Sequence, residues 1–185
     1  MSRFDFITTD LAGLIVVQRK AVEDPRGFLS RFYCAEEFNK AGMCKSIAQI
    51  NHTLTNTKGA VRGLHFQYPP HAETKLVSCL QGEIFDVAVD LRRDSPTFLH
   101  WHAEILTAKN RKSLLIPEGF AHGFLVTSES AEFIYKTTDY WYPEDEHSLH
   151  WNDPEIGIHW PLDIQPIISA KDESASALEL IETFE

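Results

Sequence analysis

Hydrophobic positions along the chain recur mainly with a period of two. Residues 83–91, EIFDVAVDL, put Phe85, Val87, Val89 and Leu91 on one face, and Ile84, Asp86, Ala88 and Asp90 on the other. Alternate side chains of an extended backbone point to opposite sides, so this run predicts a strand with two unlike faces. Comparable runs predict strands over 12–18, 27–33, 60–66, 75–80, 101–107, 112–116, 120–126 and 131–138. Turn residues separate them: Asp24-Pro25, Thr57-Lys58-Gly59, Pro69-Pro70, Gln81-Gly82, Ser95-Pro96 and Pro117-Glu118-Gly119. Many short strands at this spacing predict an all-β sandwich or barrel.

Helical pattern is scarce. Residues 35–42 predict two turns ending at Gly42, and 174–182 a short C-terminal helix with Ser174 as N-cap. The segment 139–166, rich in Trp, Tyr, Pro and Asp, is expected to wrap the sheet as irregular structure.

Length and composition then narrow the class. A chain of 185 residues with 43% hydrophobic and 24% charged residues reads as one globular domain over 1–185. Net charge is −10, from 17 basic and 27 acidic residues, which argues against a sequence-independent nucleic-acid binder. It leaves room for an anionic small molecule, because a few arginines suffice to hold a phosphate. Cys34, Cys44 and Cys79 are odd in number and contain no C-x-x-C, so neither a disulfide framework nor a structural zinc site is expected. No run approaches the roughly 18 apolar residues of a membrane span. The seven residues LAGLIVV read as a strand rather than a signal peptide, and a reducing, cytoplasmic setting is expected.

Four motifs are candidates for chemistry. In RGLHFQ (62–67), Arg62 and His65 lie three apart and begin on opposite faces of a strand unless the backbone bends at Gly63. Lys75 follows ten residues after His65. In PEGFAHGF (117–124), His122 is a ligand, a substrate donor or a packed core histidine. Tyr135 shares a strand face with Phe133, which fits packing as well as catalysis. Asp172, in SAKD, either orients a histidine or opens a helix. His100-Trp101-His102 invites a metal, but His65 sits in H-F-Q and lacks the second histidine of a metal-binding pair.

Taken in order, the segments DPRGF (24–28), QIN (49–51), RGLHFQ (62–67), KLV (75–77), GEIFDVAVDLR (82–92), IPEGFAHGF (116–124), EFIYK (132–136), WNDP (151–154) and SAKD (169–172) resemble the dTDP-4-dehydrorhamnose 3,5-epimerase family. The resemblance implies a jelly-roll (cupin-like) fold, no metal or organic cofactor, and a homodimer that shares a strand. It implies His65 as catalytic base, Asp172 as the carboxylate orienting it, Tyr135 as the acid on the opposite face of the sugar, and Lys75 as the cation near the C4 oxygen. Arg26, Gln49, Asn51, Arg62, His122, Glu146 and Lys171 match positions that contact a nucleotide sugar. Arg31 stands at a further site position where the family usually carries Glu, and Trp141 where Tyr is frequent. The implied reaction is inversion of C3 and C5 of a nucleoside-diphosphate 4-keto-6-deoxyhexose through an enolate. The rival readings are a single-centre epimerase, a metal-dependent cupin using His65, His122 and His100 or His102, and a nucleotide-sugar-binding protein without catalysis.

Overall fold

The computed structural model describes residues 2–184. Thirteen strands are placed: β1 (Phe4–Thr8), β2 (Ile15–Arg19), β3 (Ala21–Asp24), β4 (Gly27–Ser30), β5 (Gln49–Thr55), β6 (Val61–Gln67), β7 (Lys75–Gln81), β8 (Glu83–Asp90), β9 (Trp101–Thr107), β10 (Lys112–Ile116), β11 (Phe120–Val126), β12 (Ala131–Thr137) and β13 (Glu146–Ser148). Eleven of them form two facing antiparallel sheets. One runs β1-β2-β10-β7-β12-β5, the other β13-β6-β11-β8-β9. This is the all-β, cupin-like jelly roll expected.

The space between the sheets holds a core of Val16, Val77, Ile84, Ala88, Leu114, Phe124 and Phe133 among others. A second cluster lies on the outer face of the smaller sheet. There Leu64, Val87, Val89 and Leu91 are covered by Leu149, Ile156, Ile158, Leu178 and Phe184. The chain beyond 139 therefore does wrap the sheet, with one short strand, β13, inside it. This explains why both faces of β8 are apolar: Ile84 and Ala88 face the barrel, Val87 and Val89 the wrap. On the outer face of the larger sheet, helix α1 (Ala35–Lys40) buries Phe38 against Phe4, Val17, Met43 and Leu115.

The expected C-terminal helix is corrected. The structure has a short helix α2 (Ala170–Glu173), followed by a single 3-10 turn over Leu178–Leu180. Ser169, not Ser174, is the N-cap, accepting from the Asp172 N–H, and Ser174 closes the helix instead. The reason is tertiary. The Ser176 carbonyl accepts from the His150 N–H, and the Leu178 N–H donates to Asp153 Oδ2 at 2.9 Å, so the wrap claims the backbone groups a longer helix needs.

Strands β3 and β4 form a ribbon that pairs with no other strand among the described residues. Its tip is Asp24-Pro25-Arg26-Gly27, and Val22, Phe28 and Leu29 are all exposed on it. Where the ribbon rejoins the barrel, Phe32 lies 3.9 Å from the Arg19 guanidinium carbon and 5.4 Å from Lys136 Nζ. Both cations are buried.

Candidate active site

A cavity of about 450 Å³ opens between the two sheets. The larger sheet faces it with three cross-strand rows, set by register: Lys75–Thr137–Gln49, Val77–Tyr135–Asn51 and Cys79–Phe133–Thr53, in which Val77 and Cys79 belong to the core and the others line the cavity. In each row β12 is central, so Phe133 and Tyr135 share the inward face as their spacing predicts.

The smaller sheet supplies the opposite wall. His122 on β11 pairs with His65 on β6, and Phe124 with Arg62, so two residues of β11 span three of β6. This bulge lies at Gly63, whose φ is +120°, a region that favours glycine. It turns Arg62 and His65 into the same cavity despite their odd spacing. The strands also approach closely there. A Cβ on Gly63 would lie 2.6 Å from Gly123 Cα, and a Cβ on Gly123 would lie 2.7 Å from the Arg62 carbonyl oxygen.

His65 Nε2 lies 2.6 Å from Asp172 Oδ1. A carboxylate only accepts, so Nε2–H is the donor and Nδ1 is the nitrogen left to take a proton. Asp172 is buried on α2, with its side chain 5% exposed. Burial pushes its carboxyl up, but the bond and charge of His65 outweigh this, and Ser169 adds to them, so it is held below the usual carboxylate range. Asp172 thus orients a histidine from the first turn of a helix that Ser169 opens. Lys75 Nζ sits 3.2 Å from Glu73 Oε1 and 3.4 Å from the His65 carbonyl oxygen. The Tyr135 hydroxyl is pushed up, first by burial and then by the charges of Glu73 and Glu146.

Gln49, Asn51, Arg62, His122 and Glu146 all line the cavity with His65, Lys75 and Tyr135. Lys171 stands at its edge, mostly exposed and hydrogen-bonded to Glu146. Burial of Glu146 is outweighed by Lys171, and His65 and Trp141 add to this, so its carboxyl is held low. The structure does not bring Arg26 and Arg31 to this cavity. Arg26 rides the tip of the ribbon, 89% exposed and 2.6 Å from Asp24. Arg31 lies 3.8 Å from Glu37, beside a separate hollow that includes Phe6, Ile15 and Cys34. The cause is the ribbon, which leaves the barrel before residue 31.

Asp86 and Glu73 were not among the sequence candidates, and Trp141 was noted only as a departure from the family pattern. Asp86, fully buried on β8, lies 2.8 Å from His122 Nε2 and gives a second histidine–aspartate pair. Its available signal was a carboxylate in the middle of the barrel-facing side of EIFDVAVD, between Ile84 and Ala88. Glu73 carries no signal beyond preceding Lys75 by two. Trp141 lines the cavity, and its backbone N–H donates to Gln49 Oε1 at 2.8 Å. His102, by contrast, lies on β9 with Glu104 3.8 Å away, two strands from His122. Among the described residues no group of three His, Cys, Asp or Glu side chains could hold a metal ion. No helix among them is long and apolar enough to cross a membrane.

A jelly roll with an aspartate-bonded histidine on one wall of its cavity and a tyrosine on the other has the groups for proton transfer on opposite sides of a bound ring, the chemistry of an isomerase. A family model described as dTDP-4-dehydrorhamnose 3,5-epimerase matches residues 8–179. The chain is 45% identical over 174 residues to the dTDP-4-dehydrorhamnose 3,5-epimerase of Salmonella typhimurium, covering 94% of each. It is 48% identical to that of Pseudomonas aeruginosa, covering 89% of this chain and 90% of the relative. Among solved structures it is similar to dTDP-6-deoxy-D-glucose-3,5-epimerase from Legionella pneumophila in complex with dTDP-4-keto-L-rhamnose, with a TM-score of 0.92 and 43% identity, covering 97% of this chain and 95% of that one. The chain belongs to the dTDP-4-dehydrorhamnose 3,5-epimerase family and is an isomerase of the carbohydrate-epimerase type.

Proposed function

We propose that this enzyme inverts C3 and C5 of dTDP-4-keto-6-deoxyglucose, with His65 as base, Tyr135 as acid and Lys75 as the cation at the C4 oxygen. The observation that carries the reading is that His65 and Tyr135 stand on facing sheets across one cavity. Inversion needs a proton removed from one face of the ring and returned from the other. C3 and C5 flank the ketone, so their protons are the acidic ones. Lys75 is poised to stabilise the enolate where charge develops. Asp172 keeps the His65 ring in the tautomer that accepts at Nδ1. The family membership of the chain and the dTDP-4-keto-L-rhamnose bound in the Legionella structure support this substrate.

The working form is a homodimer in the cytoplasm. The unpaired ribbon supports the dimer, since an isolated two-stranded hairpin with Phe28 and Leu29 exposed is marginal in water. A second copy would cover it and receive Arg26 at the diphosphate. The experiment is proton NMR of the protein with dTDP-4-keto-6-deoxyglucose in deuterated buffer, without added metal. Loss of both the C3 and C5 signals is expected. Loss of one would favour a single-centre epimerase, and loss of neither would overturn the assignment.

A further inference from the structure

The chain carries a net charge of −10, yet three of its cations gather on the outer side of the larger sheet. Arg19 ends β2, Arg111 precedes β10 and Lys136 lies on β12. The Arg19 backbone N–H donates to the Arg111 carbonyl at 3.1 Å, which sets the first two side by side. The Phe32 ring lies against both Arg19 and Lys136. Arg111 takes a backbone φ of +55°, a region that favours glycine or asparagine, and holds its guanidinium carbon 4.5 Å from the Phe28 ring on the ribbon.

Arg19 and Lys136 are each only 5% exposed. Taking a cation out of water is costly unless an anion compensates it. Compensation within the chain is incomplete. Among the described residues the one carboxylate paired with any of the three is Glu23, 2.8 Å from Arg111 Nη2. The Arg19 guanidinium has a single partner among them, the Ser30 hydroxyl, to which Nη1 donates at 3.1 Å, and its buried Nε has none. Lys136 Nζ and Arg111 Nε are likewise buried without a partner. With Glu23 set against Arg111, two positive charges remain.

These groups border a hollow of about 310 Å³ between ribbon and barrel. Arg19, Leu80 and Arg111 line it from the barrel, Phe28 and Ser30 from the ribbon. It shares no lining residue with the cavity of His65 and Tyr135. A guanidinium laid against a ring keeps its edge of N–H donors for an acceptor, and that edge fits two oxygens of a tetrahedral anion.

We propose that this hollow is an anion site distinct from the epimerase cavity, in which Arg19 and Arg111 bind a small divalent oxyanion of the inorganic-phosphate class and the Ser30 hydroxyl is a third donor. Lys136 adds charge from beneath Phe32 without lining the hollow. Ribbon and barrel both donate, so the bound anion ties one to the other.

The test is isothermal titration calorimetry of the whole protein with inorganic phosphate, in chloride buffer of constant ionic strength. The epimerase cavity has an arginine of its own, so Arg62→Gln is the control. Arg62→Gln is expected still to bind one phosphate per chain. In Arg19→Gln and in Arg111→Gln that event should weaken at least about tenfold, the effect of one lost charge-assisted contact. Sulfate should compete for the site and nitrate should not. Melting temperature gives a second reading. Phosphate should raise it in wild type and in Arg62→Gln above an equal ionic strength of chloride, and leave Arg19→Gln unmoved. Without phosphate Arg19→Gln should melt no lower than wild type, since it loses an uncompensated buried charge. Binding that vanishes in Arg62→Gln and persists in Arg19→Gln puts the phosphate in the epimerase cavity and overturns the proposal. Equal competition by nitrate overturns it too, as does a wild type that binds no phosphate. If wild type binds none and Arg19→Gln turns a dimer into a monomer in light scattering, the compensating anion is a carboxylate of a second copy rather than a free oxyanion.

Discussion

The barrel interior and the ribbon treat their charged residues in opposite ways. His65, His122 and Lys75 sit on central strands, each fixed to a carboxylate by Asp172, Asp86 or Glu73. Arg26 and Arg31 sit on or just beyond a two-stranded arm, both exposed, with Asp24 2.6 Å from Arg26 and Glu37 3.8 Å from Arg31. An exposed ion pair contributes little, whereas a buried one is costly to break. The cavity's charged groups are therefore each held by a carboxylate within one chain, while Arg26 and Arg31 are free to exchange Asp24 or Glu37 for a stronger anion.

The largest test of this contrast is at the interior. His65→Ala should lower exchange at C3 and C5 about 10⁴-fold, read by NMR in deuterated buffer. A folded variant that keeps wild-type exchange would remove His65 from the mechanism. Asp172→Asn should cost about 10²-fold in kcat by freeing the wrong tautomer of His65. It should also alter the acid limb of stability. The Asp172 carboxyl is held low in the folded state, so its contribution is present above the unfolded pKa and lost as pH falls through the folded one. Acid titration of the melting temperature should be shallower in the variant.

At the ribbon the effects should be smaller and of another kind. Arg26→Ala should raise KM about tenfold with kcat nearly unchanged, as expected for one charge-assisted contact to a diphosphate. A fall in kcat alone would place Arg26 at the chemistry. Leu29→Asp should shift the protein from dimer to monomer in light scattering.

Two further variants probe the scaffold that keeps the regions distinct. Gly123→Ala forces a Cβ to within 2.7 Å of the Arg62 carbonyl, and should cost about 1–3 kcal/mol in chemical denaturation. Lys136→Met removes a buried ammonium whose Nζ has no partner beneath Phe32, and should leave stability equal or raise it by about 1 kcal/mol. Burial, followed by the charge of Arg19, lowers Lys136 to about 8. Its folded pKa is below the unfolded one, so wild-type stability should climb between about pH 8 and 10 and the variant should lose that climb.

The sequence pattern located several of the longer strands well. Residues 101–107, 112–116 and 120–126 emerge with the bounds their alternation predicts, because each packs at least one apolar face and ends at a turn. Strand β5 was hidden for a physical reason. Its inward residues Gln49, Asn51 and Thr53 are polar because they line the cavity, while Ile50 and Leu54 face out and are exposed. The usual sign of the pattern is inverted there. Strands β1, β3 and β13 are short edges with little alternation to detect. Within the site, His65, Lys75, Tyr135 and Asp172 were legible through a family resemblance, and Gly63 through its odd spacing. Asp86 and Glu73 were not, since a carboxylate near a histidine in space leaves no mark on the spacing between them in the chain.

The placement of His65 and Tyr135 on facing sheets makes the fold a caliper. Packed sheets sit roughly 10 Å apart, a gap set by the side chains between them rather than by any loop. A flat six-membered ring with a reactive group above and below it fills such a gap. Thickening Val77 or Phe124 near the jaws should therefore change which rings can enter before it changes how protons move. Selectivity for ring shape and competence for proton transfer would then be separable by mutation.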